Sequence, residues 1–125
     1  MKKILVVDDE EEYRILLSRV LEGAGYKVFS AGTGHEGLKL FDERKPDLIM
    51  LDVMLPDMLG FEFCHKIRAG GGDASDTPVL FCTVRSAVSS LAQGVREGST
   101  DYVIKPFIPE DLLKRVGAAL SGPQP

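Results

Sequence analysis

Residues 3–9 read KILVVDD, an uninterrupted apolar run that stops at two carboxylates, Asp8 and Asp9. Most of its apolar residues are β-branched, and the run lacks the apolar and polar alternation of a strand with one face in water. We therefore expect a strand that is buried on both faces and lies centrally in a sheet.

Helical and extended patterns alternate along the rest of the chain. Between residues 10 and 22 the apolar residues recur at three- and four-residue steps, and Gly23 and Gly25 follow, which predicts an amphipathic helix. A second fully apolar run, at 47–51, predicts another buried strand. The full prediction has strands at 3–7, 26–31, 47–51, 79–83 and 102–104, and helices at 10–22, 35–43, 61–68, around the face Val88, Leu91, Ala92 and Val95, and at 109–120.

This alternation predicts an α/β fold. Strands that alternate with helices indicate βαβ units with right-handed crossovers and helices on both faces. We expect a single doubly wound, five-stranded parallel sheet in the order 2-1-3-4-5, with five helices. Residues 1–120 would form one domain, and residues 121–125, SGPQP, have the composition of a linker-like tail.

Composition excludes several classes of protein. Fifteen Lys and Arg against nineteen Asp and Glu give a net charge of −4, so no uniformly positive surface is expected for direct nucleic-acid binding. The longest apolar runs, 4–7 and 48–51, are far below the roughly 20 residues that cross a bilayer, and acidic residues 8–12 stand where a leader peptide is apolar. We expect no membrane segment, a cytoplasmic protein, and reduced core thiols at Cys64 and Cys82.

Polar side chains follow several of the predicted strands. In an open parallel sheet, ligands bind beyond the carboxyl ends of the strands, at the point where the strand order reverses. The strand ends bring three carboxylates, a hydroxyl and an ammonium to that edge: Asp8, Asp9, Asp52, Thr83 and Lys105. Taken singly, each has an ordinary explanation as a turn former, a helix cap or a solvated lysine. The glutamates at 10–12 are interpreted only as favourable charges at a helix N-terminus.

The combination of these side chains indicates a binding site. Neighbouring carboxylates near a protein surface repel one another by on the order of 1–4 kcal/mol, so a fold gains no stability by collecting them. One lysine cannot balance three anions, and oxygen ligands suit Mg²⁺. These groups favour phosphoryl transfer. Because the sequence has no Gly-rich phosphate loop, the simplest nucleophile is a carboxylate, and Asp52 after the third strand is the best candidate.

Between residue 3 and about residue 120 the sequence resembles the receiver domains of response regulators in two-component signalling, which have a flavodoxin-like fold. Four separated motifs carry the resemblance: KILVVDDEEEYR at 3–14, DLIMLDVMLPDMLGFE at 47–62, Thr83 after VLFC, and GSTDYVIKPF at 98–107. The resemblance implies a phosphoacceptor signalling domain that catalyses only its own phosphorylation and dephosphorylation. It also implies a histidine kinase or phosphotransfer protein as partner, and is compatible with an effector domain after the tail.

The resemblance assigns the chemistry to the acidic residues. It implies that Asp52 accepts a phosphoryl group from a phosphohistidine of the partner. Mg²⁺ would be held by Asp52, by Asp9 directly, by Asp8 through water, and by the main-chain carbonyl of Met54.

The resemblance also implies a conformational switch. Lys105 would pair with the phosphoryl oxygens, and Thr83 would hydrogen-bond one of them. Tyr102 would turn inward as Thr83 moves, and so switch a face made of the fourth helix, fifth strand and fifth helix. The Lys105-Pro106 peptide bond would be cis, which is infrequent for an X-Pro bond.

Some positions depart from the family pattern. Val84 follows the switch hydroxyl, where receiver domains have a small residue, and we expect it to narrow access to the phosphoryl group. Leu59 replaces the acidic residue common before Gly60 and does not touch the proposed chemistry.

A homodimer through the switch face has partial support. Asp101 and Arg115 fit positions that pair across the dimer in winged-helix regulators of this family. Other charged positions of that pattern hold Leu91, Arg96 and Gly122, and exposed pairs contribute little singly.

Three alternative functions stay open. A receiver-like fold that is not phosphorylated would act as a protein-binding module. A phosphatase with an aspartate nucleophile needs a second carboxylate two residues later, where this chain has Met54. A flavin-binding protein shares the fold class, but the acidic first loop would repel the flavin phosphate.

Overall fold

The computed structural model describes residues 1–84 and 101–121. In this part of the chain, five strands form one sheet: β1 Lys3–Val7, β2 Lys27–Ala31, β3 Leu48–Leu51, β4 Val79–Val84 and β5 Asp101–Lys105. The helices within the same ranges are α1 Glu11–Gly23, α2 Gly34–Arg44, α3 Gly60–Ala69, a short 3₁₀ helix Asp73–Asp76, and the C-terminal helix Pro109–Leu120.

The sheet is parallel throughout, with strand order β2-β1-β3-β4-β5. This confirms the predicted fold class and strand order. Val7 at the end of β1 lies in register with Ala31 of β2 and with Leu51 of β3. The strand order reverses between β1 and β3, so a ligand site is expected beyond the carboxyl ends of these two strands.

The predicted elements within the described residues are present, and each end agrees with the prediction or differs from it by one residue. β5 is longer than predicted because its pairing with β4 continues from Leu80 to Val84. The 3₁₀ helix was not predicted. Arg68 Nη1 on α3 donates hydrogen bonds to the Ser75 and Thr77 carbonyls, at 2.8 and 2.7 Å. The predicted fourth helix, around Val88, Leu91, Ala92 and Val95, falls outside the described residues.

Two apolar clusters cover the two faces of the sheet. Side chains alternate along β1, so that Leu5 and Val7 enter one cluster and Ile4 and Val6 the other. The first cluster receives side chains of α2 and α3, and the second receives side chains of α1 and the C-terminal helix. Burial on both sides explains the lack of polar alternation in the central strands.

Both cysteines lie in these clusters. Cys64 packs in the first and Cys82 in the second, and neither forms a disulfide within the described chain. Over the same residues, no helix has the length and apolarity that a membrane span requires.

Candidate functional site

The site lies at the edge of the sheet where β1, β3 and β5 end. Asp8 and Asp9 follow β1, Asp52 follows β3, and Lys105 is the last residue of β5. Backbone hydrogen bonds continue beyond the strands, from Asp8 N to Ala31 O and from Asp52 N to Val7 O, both at 3.0 Å. The sheet itself therefore positions Asp8 and Asp52, and it holds their carboxylates at neighbouring strand ends.

Lys105 is the cation of the site. Its Nζ atom lies 2.6 Å from Asp8 Oδ2, 3.1 Å from Asp52 Oδ2 and 3.3 Å from Glu10 Oε1. The side chains of Lys105 and Asp8 are each 2% exposed and that of Asp52 is 10% exposed, so water screens these two ion pairs little; Glu10 is exposed, and its pair with Lys105 is screened more. Strand β5 thus places one ammonium against carboxylates from two separate loops.

Four carboxylates gather at this edge of the sheet, and Lys105 contacts three of them. Asp8, Asp9, Glu10 and Asp52 each offer an oxygen, and these oxygens lie within 4.8 Å of one another. Asp8 and Asp52 are buried, whereas Asp9 and Glu10 are exposed. The cluster carries more negative charge than one lysine neutralises. An all-oxygen donor set with excess negative charge fits a hard divalent cation such as Mg²⁺.

The Asp8 carboxylate is held in a defined orientation. Its Oδ1 atom accepts a hydrogen bond from Glu10 N at 3.0 Å. Its Oδ2 atom is buried and, among the described residues, accepts no well-directed hydrogen bond besides its ion pair with Lys105. The Asp8 carbonyl accepts a hydrogen bond from Arg14 Nη1 at 2.6 Å, which ties the loop to α1. A buried carboxylate oxygen with spare acceptor capacity is suited to a metal or a metal-bound water.

The electrostatics of Asp52 and Lys105 reflect their burial and their contact. Burial raises the pKa of Asp52 above its ordinary value; the Lys105 charge opposes this shift, and the Asp8 carboxylate adds to it. Burial acts to lower the pKa of Lys105, but its contact with Asp8 and the charge of Asp52 hold that pKa above its usual range. Lys105 therefore stays charged at neutral pH.

The loop after Asp52 folds back on the strand end. Met54 N donates to Asp52 Oδ1 at 3.2 Å, and Gly60 N donates to Val53 O at 2.7 Å. A Cβ atom at Gly60 would lie 2.4 Å from the Asp52 carbonyl oxygen. Only glycine allows α3 to begin this close to the strand that carries Asp52.

Asp57, in the same loop, binds the N-terminus of α2. Its carboxylate accepts hydrogen bonds from Gly34 N at 2.7 Å and from His35 N at 2.9 Å, and it also contacts His35 Nδ1. Burial acts to raise the pKa of Asp57, but the hydrogen bonds from the backbone of His35 and Gly34 and from the His35 ring lower it to about 2. This carboxylate joins the loop after Asp52 to a second helix.

The residues predicted to form the switch lie on β4 and β5. Thr83 is buried near the end of β4, in register with Ile104. Tyr102 is 37% exposed, and its ring lies 5.7 Å from the Arg115 guanidinium carbon. Arg115 Nη1 also donates to both oxygens of Asp101, at 3.1 and 3.0 Å. The two charges expected to pair across a dimer thus pair with each other within one chain.

The structure therefore brings Asp8, Asp9, Asp52 and Lys105 together, and Met54 contacts Asp52 through its backbone N–H. The Lys105-Pro106 bond is cis, as predicted. Glu10 also belongs to the site: its sequence context predicts only a favourable charge at a helix N-terminus, whereas in the structure it forms an ion pair with Lys105. The position of Glu10 directly after Asp8 and Asp9 is the feature of the sequence that indicates a place in the same acidic cluster.

Comparison with known proteins identifies relatives over almost the whole chain. The family model described as "Response regulator receiver domain" matches residues 4–117. The alkaline phosphatase synthesis transcriptional regulatory protein PhoP of Bacillus subtilis is 44% identical over 119 residues, which are 95% of this chain and 48% of that protein. The response regulator MprA of a Mycobacterium species is 42% identical over 123 residues, 98% of this chain and 52% of that protein. The chain thus spans about half the length of these relatives.

Solved structures share the same fold. A putative response regulator from Chloroflexus aurantiacus superposes with a TM-score of 0.90 at 34% identity, covering 96% of this chain and 98% of that one. The chemotaxis protein CheY4 of Vibrio cholerae superposes with a TM-score of 0.88 at 36% identity, covering 95% of this chain and 98% of that one.

Proposed function

This chain belongs to the response regulator receiver domain family, and from that premise we propose that it is a phosphoacceptor: Asp52 takes a phosphoryl group from a phosphohistidine of a histidine kinase or phosphotransfer protein, in an Mg²⁺-dependent reaction. The observation that carries the proposal is the contact of Lys105 Nζ with Asp52 Oδ2 inside a cluster of four carboxylates. A cation beside the nucleophile, with oxygen ligands around both, is what phosphoryl transfer needs, because that chemistry depends on positioning and charge neutralisation.

In this reaction a carboxylate oxygen of Asp52 bonds to phosphorus as the bond between phosphorus and the donor imidazole nitrogen breaks. The imidazole leaves with the bonding electron pair, and no oxidant or reductant is involved. Lys105 moves its contacts to the phosphoryl oxygens. The main-chain N–H of Met54 keeps the Asp52 carboxylate oriented, since it already donates to Asp52 Oδ1.

The proposed metal ligands are Asp52, Asp9, Asp8 through water, and the Met54 carbonyl. When bound, Mg²⁺ supplies positive charge that offsets the phosphoryl oxygens. The excess negative charge of the cluster and the buried Asp8 oxygen support this assignment.

Phosphorylation would then shift a conformational equilibrium. The added group carries roughly −1.5 to −2 charges and new acceptor oxygens, which recruit the Thr83 hydroxyl. Movement of Thr83 on β4 frees space for the Tyr102 ring on β5. In the proposed switch, Tyr102 leaves its half-exposed position beside Arg115 and alters the face that includes β5 and the C-terminal helix.

The proposed partner surfaces surround this site. The donor would dock on α1, where Ile15 and Leu16 are exposed, and on the loop after Asp52, where Met54 is exposed.

Because the relatives are about twice as long, we propose that residues 1–120 are the receiver domain, that 121–125 begin a linker, and that an effector domain follows. A homodimer through the switch face is part of the same proposal. The two cysteines form no disulfide within the described residues, which is compatible with a reducing cytoplasm.

The proposal is tested by treating the protein with acetyl phosphate and Mg²⁺ and measuring the intact mass. We expect one phosphoryl adduct that requires Mg²⁺, is absent from Asp52→Asn, and persists in the control Asp42→Asn at an exposed position of α2. An adduct retained by Asp52→Asn would contradict the assignment. No adduct together with no Mg²⁺ binding would favour the protein-binding module instead.

A further inference from the structure

Lys105 contacts an aromatic ring as well as carboxylates. Its Nζ atom lies 4.3 Å from the centroid of the Tyr13 ring, well within the range of a cation–π interaction. Tyr13 belongs to the first turn of α1 and is half-buried. The Tyr13 ring in turn packs against Phe107, with centroids 6.3 Å apart and planes tilted by 50°. The ammonium is therefore held between anions and an aromatic face.

We propose that Tyr13 is a positioning residue for Lys105: the face of its ring keeps the ammonium directed at Asp52 while the lysine exchanges its other partners. This inference rests on the proposed function, because the placement of Lys105 serves phosphoryl transfer to Asp52.

The reason lies in the nature of the competing partners. Asp8 and Glu10 attract the ammonium through carboxylate oxygens, and these oxygens are also candidates for holding a metal ion. When Lys105 moves toward phosphoryl oxygens, its contacts with these carboxylates weaken. A ring face attracts a cation over a broad area and offers no lone pair to a metal. Tyr13 can therefore hold the lysine while it exchanges partners, because the ring face binds neither the metal ion nor the phosphoryl group.

The position of Tyr13 in the fold supports this role. Tyr13, Leu17 and Leu21 are spaced four residues apart on α1, and both leucines are buried in the second cluster. Tyr13 is therefore on the helix face that packs toward the sheet. Phe107 follows the cis Lys105-Pro106 bond and packs against the Tyr13 ring. The aromatic pair thus connects α1 to the segment that carries the lysine.

The experiment compares Tyr13→Leu and Tyr13→Phe with a matched control, Tyr26→Leu. Tyr26 is a half-buried tyrosine that packs on the second cluster; it directly precedes β2, at the end of that strand opposite the site. With acetyl phosphate and Mg²⁺, we expect Tyr13→Leu to phosphorylate Asp52 about three- to tenfold more slowly, while Tyr13→Phe and the control stay within about twofold of wild type.

A spectroscopic measurement separates positioning from loss of packing. In the wild-type protein, the ring current of Tyr13 should shift the Cε proton resonances of Lys105 upfield of those of Lys114, an exposed lysine of the C-terminal helix. Tyr13→Phe should retain the shift, and Tyr13→Leu should abolish it. If Tyr13→Leu does not fold, Tyr13→Met tests the same point with a flexible apolar side chain.

Unshifted Lys105 resonances in the wild type, an unchanged rate in Tyr13→Leu, or an equal rate loss in Tyr13→Phe would each overturn the proposal. If the wild-type protein takes no phosphoryl group, the proposed function fails. The resonances still decide whether Tyr13 places Lys105, because that measurement requires no reaction.

Discussion

Lys105 and the carboxylates around it are mutually dependent. The lysine is the only cation within salt-bridge distance of Asp8 and Asp52 among the described residues, and all three side chains are buried. Removing one member of a buried ion pair leaves the other charge without compensation, which costs more than the pair itself contributes. The same charges that support the proposed phosphoryl transfer therefore also affect the stability of the fold.

We expect Lys105→Met to lower the free energy of unfolding by roughly 1–3 kcal/mol, because it leaves Asp8 and Asp52 buried without a cation. Adding Asp8→Asn should restore much of that loss by removing one of the unpaired charges. Neither variant should accept a phosphoryl group at the wild-type rate. Urea unfolding at pH 7 without Mg²⁺ measures the free energies of unfolding of the wild type and of both variants. A double variant no more stable than Lys105→Met would contradict this account.

A second prediction for a single residue concerns Val84, whose side chain we expect to limit access to the site. It is 46% exposed and lies in register with Lys105, at the edge of the sheet that carries the site. We expect Val84→Ala to widen access and to speed both phosphorylation by acetyl phosphate and hydrolysis of the adduct by about threefold, which corresponds to less than 1 kcal/mol. The rates are measured by intact mass against time. Unchanged rates of both steps would show that this side chain does not limit access.

At the level of elements, the loop between β3 and α3 is held from both sides. Gly60 packs against the backbone of Asp52, and Asp57 binds the N-terminus of α2. The loop carries Met54, whose backbone orients the Asp52 carboxylate. A substitution that disturbs either attachment should therefore lower the stability of the fold and alter the orientation of the Asp52 carboxylate.

Gly60→Ala should be destabilising by about 1–3 kcal/mol, because its Cβ would overlap the Asp52 carbonyl oxygen and the Phe81 ring. It should also slow phosphorylation, since Asp52 must shift. The matched control is Gly117→Ala in the C-terminal helix, where a Cβ meets nothing within 4 Å. That variant should be stabilising by up to about 1 kcal/mol through helix propensity. Equal effects of the two substitutions on stability would rule out a close-packing role for Gly60.

The Asp57 contacts predict a specific dependence on pH. The pKa of Asp57 is about 2 in the folded protein, below the ordinary value of 3.8, so its stabilising effect is fully present above pH 3.8. It should disappear as the pH falls through about 2. Asp57→Asn should lower Tm by a few degrees at pH 7, as expected for a weakened helix cap, and the difference from wild type should close between pH 4 and 2. For the control Asp42→Asn, at an exposed position of α2, the difference in Tm from wild type should not change in this way with pH. A difference in Tm between Asp57→Asn and wild type that persists at pH 2 would be inconsistent with the proposed role of Asp57.

At the level of the whole molecule, a twisted parallel sheet carries the site at one edge and two apolar clusters on its faces. The clusters bury the central strands, and this leaves the strand ends as the place where charged side chains can meet. A ligand bound at this edge by the native state alone would stabilise the entire fold.

Mg²⁺ should therefore raise the unfolding temperature if the carboxylate cluster binds it. At a concentration about 100 times the dissociation constant, the gain would be about 2.7 kcal/mol, and EDTA should remove it. Asp9→Asn should lose this response with little change in the stability of the metal-free protein, because Asp9 is exposed. Thermal unfolding at matched ionic strength measures both. An Mg²⁺ response that is retained by Asp9→Asn would exclude this residue as a ligand.

Local patterns in the sequence determined the strands, the helices within the described ranges, and the strand order. Fully apolar strands must be central, and right-handed crossovers leave few ways to connect them. The same patterns predict that Asp8, Asp9, Asp52 and Lys105 lie together, because the carboxyl ends of parallel strands share one edge. Tertiary structure decided the contacts between distant elements. Glu10 reaches Lys105 across 95 positions, and Tyr13 meets the same lysine only because α1 docks beside the end of β5. Such contacts depend on how helices pack on the sheet, and the periodicity of one segment carries no information about its neighbours' side chains.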